Sequence, residues 1–221
     1  FEQAGDLRSM CTQRANVGYA TIELGAYEAA VESLEQALSA AEQLGLRDLV
    51  AGVKHNLGLA LARAGRLDEG RAMELAALKA AVAQRNRRLE CGCRTYLSLI
   101  LLFTGDVEGA EREARAAVDI LSVAPPMRAH ALAVLGRALL SRGHADEAYV
   151  AVAEAYRLTE SLGGIEEGES MLHLAHVETL RALGEIGTAR DGLRMARERL
   201  LARAALIGDP VWRASFLERV P

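Results

Sequence analysis

Five glycines recur along the chain at nearly constant intervals, and this period constrains the fold more than any other feature. Each glycine separates two helix-forming segments, and residues 55–77, HNLGLALARAGRLDEGRAMELAA, show the plan once. A helical hairpin repeated with a period of this size is typical of an α-solenoid, in which each hairpin packs on its neighbours. The spacings are 40, 40, 38 and 41 residues between Gly25, Gly65, Gly105, Gly143 and Gly184.

The composition predicts an all-α fold. Hydrophobic residues make up 51% of the 221 residues but aromatic residues only 4%, so the apolar content is mostly Ala and Leu. Such side chains let helices pack closely, and the Val, Ile and Thr alternation that marks strands is absent. The net charge is −4, with acidic and basic residues interleaved. This pattern offers no basic stripe for nucleic acid.

Small residues recur at fixed distances from the turn glycines. They stand seven residues before, five after and twelve after the turn, where we expect the helices to cross in contact. A Leu at such a crossing would overpack it by about 1–3 kcal/mol. Apart from Val177 at the first position, they are Gly18, Gly58, Ser98 and Gly136, then Ala30, Gly70, Ala110, Ala148 and Ala189, then Ala37, Ala77, Ala117, Ala155 and Ala196.

This spacing, with NVG at Asn16-Val17-Gly18 and NLG at Asn56-Leu57-Gly58, resembles the tetratricopeptide repeat (TPR). A period near 40 is similar to the long-repeat TPR arrays of adaptor and regulator proteins. The resemblance covers nearly the whole chain and implies a right-handed α-solenoid of five TPR-like hairpins with a short C-terminal capping helix. The departures are Val177, Gly70 and the scarcity of large aromatic residues.

We predict a single TPR-like superhelical domain over residues 1–221. Its hairpins span about 4–44, 47–86, 87–122, 126–162 and 165–207, followed by the cap at 210–219. The predicted helices of the hairpins cover 4–24, 27–44, 47–64, 67–86, 87–104, 107–122, 126–142, 145–162, 165–183 and 186–207.

The C-terminal segment reads as a helix that begins at an N-cap followed by proline, Asp209-Pro210. It carries Trp212, Phe216 and Leu217 on one stripe, which we expect to cover the open end of the last hairpin. The tail GDPVWRASFLERVP resembles the end of TPR arrays in large bacterial signalling proteins, which join such arrays to a Ser/Thr kinase or a regulatory NTPase. The chain begins with Phe and lacks a signal peptide, so we expect a piece of a longer cytoplasmic protein.

Catalytic motifs are missing from the sequence, so we expect no enzyme activity and no cofactor. His173 and His176 have a spacing compatible with metal binding, but no third His or Cys accompanies them, and we expect helix-face histidines instead of a metal site. Glu166, Glu167 and Glu169 begin a helix, where the dipole favours negative charge. A solvated first turn is the simpler interpretation of these glutamates.

The three cysteines do not form a disulfide framework. Cys91-Gly-Cys93 is too short for a usual zinc knuckle and lacks a second ligand pair. We expect Cys11, Cys91 and Cys93 to be small core residues in a reducing compartment.

The functional surface of a TPR array is the concave face, which the first helix of each hairpin forms. A mixed polar and apolar groove suits a peptide with one or two hydrophobic anchors. By register, the candidate groove residues are Asn16, Tyr19, Glu23, His55, Asn56, Leu59, Arg63, Tyr96, Leu99, Phe103, Arg137, Glu178 and Arg181, with Thr12, His130 and Ser141 beside them.

Two interpretations stay open for several of these residues. Leu59, Leu99 and Phe103 either anchor a ligand or pack between helices. Asn16 and Asn56 either hydrogen-bond the ligand backbone or bond a neighbouring helix. Recognition of a C-terminal carboxylate by a chaperone-type clamp is not expected, because the places of its basic residues hold Ala15, Tyr19, Gly92 and Tyr96.

The sequence thus predicts a protein–protein interaction scaffold that binds a peptide or protein segment in its groove. Two alternatives remain. The array is a regulatory arm that controls a kinase or STAND-type NTPase domain of its own chain, or it is a self-association module that forms a homodimer. We expect neither nucleic acid nor membrane as a partner.

Overall fold

The structure is a computed structural model that describes residues 2–120 and 125–220, with side chains described from residue 7 onward. Every regular element in these ranges is an α-helix. The chain forms two compact units: unit 1 is Phe1–Leu89 with Ala204–Pro221, and unit 2 is Glu90–Arg203. The helices are α1 Glu2–Glu23, α2 Tyr27–Gln43, α3 Arg47–Arg63, α4 Leu67–Ala83, α5 Arg87–Thr104, α6 Val107–Ile120, α7 Pro125–Ser141, α8 Ala145–Leu162, α9 Glu169–Ala182, α10 Ile186–Ala205 and α11 Pro210–Arg219.

Most predicted helix bounds agree with the structure to within two residues. Helix α4 ends three residues earlier than predicted, and α9 begins at Glu169 and not at 165. The predicted end of the 107–122 helix lies outside the described residues. The single domain over 1–221 and its repeat bounds stay a prediction.

The five turn glycines all have a left-handed backbone. Their φ angles lie between 78° and 85°, a region that costs a residue with Cβ about 1 kcal/mol or more. At the second turn, Gly65 N–H donates to Ala62 O and Arg66 N–H donates to Leu61 O. These bonds satisfy carbonyls at the end of α3 and let α4 begin at Leu67 without a side-chain cap.

Small residues do lie where paired helices cross. A Cβ on Gly58 of α3 would stand 3.0 Å from Gly70 O of α4, and one on Gly136 of α7 would stand 2.4 Å from Val152 Cγ2 of α8. In α5, Ser98 takes the same position, and its hydroxyl donates to Ala110 O at 2.8 Å. The crossings are therefore too close for a larger side chain at these places.

Val177, the exception to this pattern, is accommodated by a shift of the facing helix. Gly192 of α10 lies against Val177, since its Cβ would meet Val177 Cγ2 at 3.4 Å. The next residue, Leu193, is 54% exposed, whereas Leu34 and Val152 at the equivalent position of α2 and α8 are fully buried. Helix α10 thus presents an apolar residue to solvent.

Helix α11 packs on the first hairpin of unit 1. Its predicted N-cap is confirmed, because Asp209 Oδ1 accepts from the backbone N–H of Val211 at 2.7 Å. The Tyr27 hydroxyl donates to Arg219 O at 2.8 Å, and Arg219 binds both carboxylate oxygens of Glu28 at 2.9 Å.

The apolar stripe of α11 is not buried, although we predicted that it would cover the end of the last hairpin. None of the described residues in α11 is buried, and Trp212 and Leu217 are 36% and 40% exposed. The backbone carbonyl and the guanidinium of Arg219, at the end of α11, both contact Tyr27.

Two glycines of α3 provide a matched test of the crossing. We expect Gly58→Ala to lower the free energy of unfolding by about 1–3 kcal/mol, because its Cβ would also meet Glu74 Cγ at 2.8 Å. Gly52→Ala, with nothing within 4 Å of its Cβ, should raise stability by about 0.5–1 kcal/mol through helix propensity. Urea unfolding of both variants measures the difference, and equal effects would contradict the crossing argument.

Candidate functional site

The predicted groove residues of unit 1 differ widely in exposure. Leu59 is buried, so of the two interpretations, packing between helices applies to this residue. Asn16 is exposed, whereas Asn56 at the equivalent position is half-buried. The remaining candidates in this unit are partly exposed, namely Thr12, Tyr19, Glu23, His55 and Arg63.

A buried carboxylate holds one of these candidates. His55 Nδ1 of α3 lies 3.0 Å from Glu74 Oε2 of α4, and Glu74 is fully buried. The carboxylate fits because Gly58 leaves space beside it. Sequence analysis missed Glu74, although a charged residue where α2 and α8 carry Leu34 and Val152 was a visible signal.

The candidates of unit 2 lie on α5, α7 and α9. Leu99 is buried, so it also packs between helices, while Phe103 is 42% exposed. Tyr96 and His130 are buried. The other candidates remain partly or fully accessible, namely Arg137, Ser141, Glu178 and Arg181.

An ion pair links neighbouring first helices in unit 2. Arg137 Nε of α7 lies 3.5 Å from Glu178 Oε2 of α9, and the two side chains are 29% and 39% exposed. Both residues stand six positions before their turn glycine. An ion pair of this length and exposure contributes little to stability, so both charged groups can change partners at low cost.

The connection between α8 and α9 places a third charged group, Glu167, against α5 and α7. Glu167 accepts a hydrogen bond from the Tyr96 hydroxyl of α5, and its Oε1 lies 3.5 Å from His130 Nδ1 of α7. Glu167 is therefore not part of a solvated first helical turn, as the sequence suggests, because α9 begins only at Glu169. The glycines around it, Gly163, Gly164 and Gly168, were the available signal.

His173 belongs to a polar cluster that joins α8, α9 and α10. Arg199 Nη1 of α10 donates to His173 Nε2 at 3.2 Å. The same Nε2 lies 3.6 Å from Glu169 Oε1. On the other side of the ring, Nδ1 forms a hydrogen bond with the Tyr156 hydroxyl. Both ring nitrogens of His173 are thus engaged by protein groups, and the Tyr156 ring also stacks on His176 at 4.5 Å.

Burial dominates the titration of this cluster. Burial, and then the charge of Arg199, lower the pKa of His173, although Glu169 acts in the opposite direction. Burial alone lowers the pKa of His176. Both imidazoles are therefore favoured in their neutral form in the folded protein.

All three cysteines are buried, as the sequence predicted. The Cys91 thiol donates to Ala117 O at 3.6 Å, and burial raises its pKa to about 11. A thiol with this pKa is a poor nucleophile and metal ligand at neutral pH. Among the described helices, none has both the length and the apolar character needed to cross a membrane.

We expect acid to weaken the histidine cluster. A histidine whose pKa is lower in the folded state binds fewer protons there than in the unfolded chain, so the stability that it contributes is lost as the pH falls below about 6.5. The free energy of unfolding should fall between roughly pH 7 and pH 5, and His173→Gln/His176→Gln should flatten that fall. Urea titrations at each pH measure the free energy of unfolding, and His144→Gln serves as a surface control. If that free energy falls with pH as steeply in the double variant as in the wild type, the two histidines are not its cause.

Comparison with known proteins identifies the fold. Neither a protein-family model nor a curated protein matches the chain. The Rap conjugation gene regulator of plasmid pLS20, solved with the Phr* peptide, matches with a TM-score of 0.74 and 19% identity over 95% of this chain and 60% of that chain. BtubC (BKLC) from P. vanneervenii matches with a TM-score of 0.62 and 19% identity, and the match covers 94% of this chain and 92% of that chain.

A third similar structure is a Podosopora anserina protein assigned as a kinesin light chain with nearly identical TPR-like repeats. Its TM-score is 0.64 at 18% identity, and the match covers 90% of this chain and 96% of that chain. At these identities the likeness concerns the fold. The chain therefore has the all-α fold of a TPR-like helical solenoid.

Proposed function

We propose that this chain is a protein–protein interaction scaffold that binds a peptide segment on the first-helix face of unit 2. This face is defined by the groove candidates on α5, α7 and α9. It combines an exposed aromatic side chain, Phe103, with charged groups on the two following helices. Such a mixture suits a segment with an apolar anchor and a backbone that needs hydrogen-bond partners.

The Arg137–Glu178 pair is the observation that carries this proposal. A peptide backbone offers both N–H donors and C=O acceptors. The Glu178 carboxylate can accept a hydrogen bond from a peptide N–H, and the Arg137 guanidinium can donate one to a peptide C=O. Since the pair is long and half-exposed, its opening sacrifices little stability.

The structural neighbours support a partner of this kind. The Rap regulator is described in complex with a peptide, and the two other neighbours share the TPR-like fold. The bacterial signalling context, the cytoplasmic location and the role as regulatory arm of a kinase or NTPase are predictions from the sequence alone.

Peptide selection followed by mutation tests the proposed surface. A displayed library of random 12-residue peptides is selected against the full chain, and recovered peptides are measured by fluorescence anisotropy. We expect Arg137→Ala/Glu178→Ala to weaken binding about tenfold or more, which corresponds to roughly 1.4 kcal/mol. This loss reflects the removal of both backbone partners.

A variant on another surface of unit 2 controls for the change of charge. Arg157 and Glu160 are exposed on α8, and Arg157→Ala/Glu160→Ala removes the same pair of charges. Its binding should stay close to that of the wild type. Failure to recover peptides, or equal loss in the two double variants, would refute the proposed surface.

Self-association is a second candidate function, which the exposed face of α10 favours. Ile186 and Leu193 are seven residues apart on one face of α10 and are 53% and 54% exposed, and exposed apolar residues of this kind mark interaction sites when they cluster. Light scattering over a range of concentrations should then reveal a dimer that Leu193→Glu weakens. Val150→Glu alters a 66% exposed residue of α8 and serves as the control. A monomer at every concentration excludes this candidate.

A further inference from the structure

The connection between α8 and α9 is longer than its counterparts in unit 1. It comprises residues 163–168, whereas α2 and α3 are joined by 44–46 and α4 and α5 by 84–86. Three of its residues, Gly163, Gly164 and Gly168, have φ angles of 74°, 125° and 82°. Such angles exclude most other residues, so this path of the chain depends on glycine.

The extra residues bring a carboxylate onto two buried groups of the first-helix face. The hydroxyl of Tyr96 donates to Glu167, and Nδ1 of His130 lies 3.5 Å from the same oxygen. Tyr96 and His130 are 3% and 7% exposed, and their rings meet edge-on at 6.4 Å. Buried polar groups of this kind require a hydrogen-bond partner, and Glu167 supplies one.

The fit between the connection and the face is close. A Cβ on Gly168 would stand 2.4 Å from His130 Cδ2 and 2.6 Å from His130 Cγ. The backbone at Gly168 therefore rests directly on the imidazole, and Ile165 beside it is buried. The Glu167 side chain itself is 38% exposed, so water reaches the carboxylate while the groups below it are covered.

We infer that Tyr96 and His130 form a carboxylate-binding subsite and that Glu167 occupies it in place of an acidic side chain of the partner peptide. This inference rests on the proposed function, since the subsite lies on the same α5 and α7 face. A carboxylate from a partner would keep the hydrogen bond of Tyr96 and the contact with His130. The exchange replaces one carboxylate by another, so the charge at the subsite does not change.

The occupied subsite lowers the apparent affinity for an acidic peptide. A ligand whose site is open in only a fraction of molecules binds with its affinity reduced by that fraction. Removal of the Glu167 carboxylate should therefore strengthen binding of a peptide with Glu or Asp at one position. Peptides without an acidic residue should not gain.

Parallel peptide selections test this inference without choosing a peptide in advance. The random 12-residue library is selected against the wild type, Glu167→Ala, Glu166→Ala and Glu167→Ala/Tyr96→Phe, each first checked for folding by circular dichroism. Glu166 is exposed, and its variant controls for the loss of one negative charge. We expect enrichment of Glu or Asp at a fixed position with Glu167→Ala only.

Synthetic peptides then separate the two sources of a carboxylate. The recovered peptide is synthesised in three forms. The first has its Glu and an amidated C-terminus, and the second has Gln in place of that Glu and an amidated C-terminus. The third has Gln and a free C-terminal carboxylate. Glu167→Ala should bind the first about tenfold more tightly than the wild type does, and the double variant should lose this gain. A gain with the third peptide instead would overturn the assignment to a side chain.

The outcomes for this inference and for the proposed function are distinguishable. If all four proteins select peptides with no acidic preference, the carboxylate subsite is refuted while the peptide-binding surface stands. If none of them selects peptides, both are refuted. Loss of binding of the Gln peptide in Arg137→Ala/Glu178→Ala reports on the proposed function alone.

Discussion

The close crossing of the two helices in a hairpin is the constraint on which the rest of the structure depends. A Cβ on Gly70 would stand 2.7 Å from Gly58 O, and Ser98 reaches Ala110 O directly. Backbones that approach this closely admit only small residues on the contact side. The other sides of the first helices carry no such restriction, so larger and charged side chains such as Arg137 and Phe103 occur there.

Where one residue at a crossing is larger than the pattern predicts, the residue that faces it is small. Gly58 leaves room for the side chain of Glu74, and Gly192 lies opposite Val177. Each departure has a consequence nearby: Glu74 holds His55, and the shift at Val177 leaves Leu193 at the surface. Irregular residues in the repeat are therefore good indicators of local polar or exposed features.

The sequence predicted most helix ends well because they depend on local chemistry, such as a glycine at positive φ or the Asp209 cap. The end of α4 was predicted less well, and the turn after it holds Arg85 at a φ of 53° in place of a glycine. It did not predict that α11 contacts the first hairpin, since such contacts join residues far apart in the chain, as between Arg219 and Tyr27, 192 positions apart. The repeat register placed both Arg137 and Glu178 among the groove candidates. It could not show that Leu99 is covered, because register gives the side of a helix and not the elements that pack on it.

Register also could not show that Glu167 lies on α5 and α7, because it does not predict the path of a connection. The contacts of Glu167 offset the cost of the long connection that carries it. Doubling the length of a loop costs only about 0.6 kcal/mol in closure entropy. A hydrogen bond to a charged group contributes about 1.5–3 kcal/mol, so the bond from the Tyr96 hydroxyl to Glu167 offsets the longer chain path. The same balance holds for any acceptor that reaches these two groups. A carboxylate that contacts both side chains therefore stabilises this face, and in our proposal that carboxylate comes either from residues 163–168 or from a bound peptide.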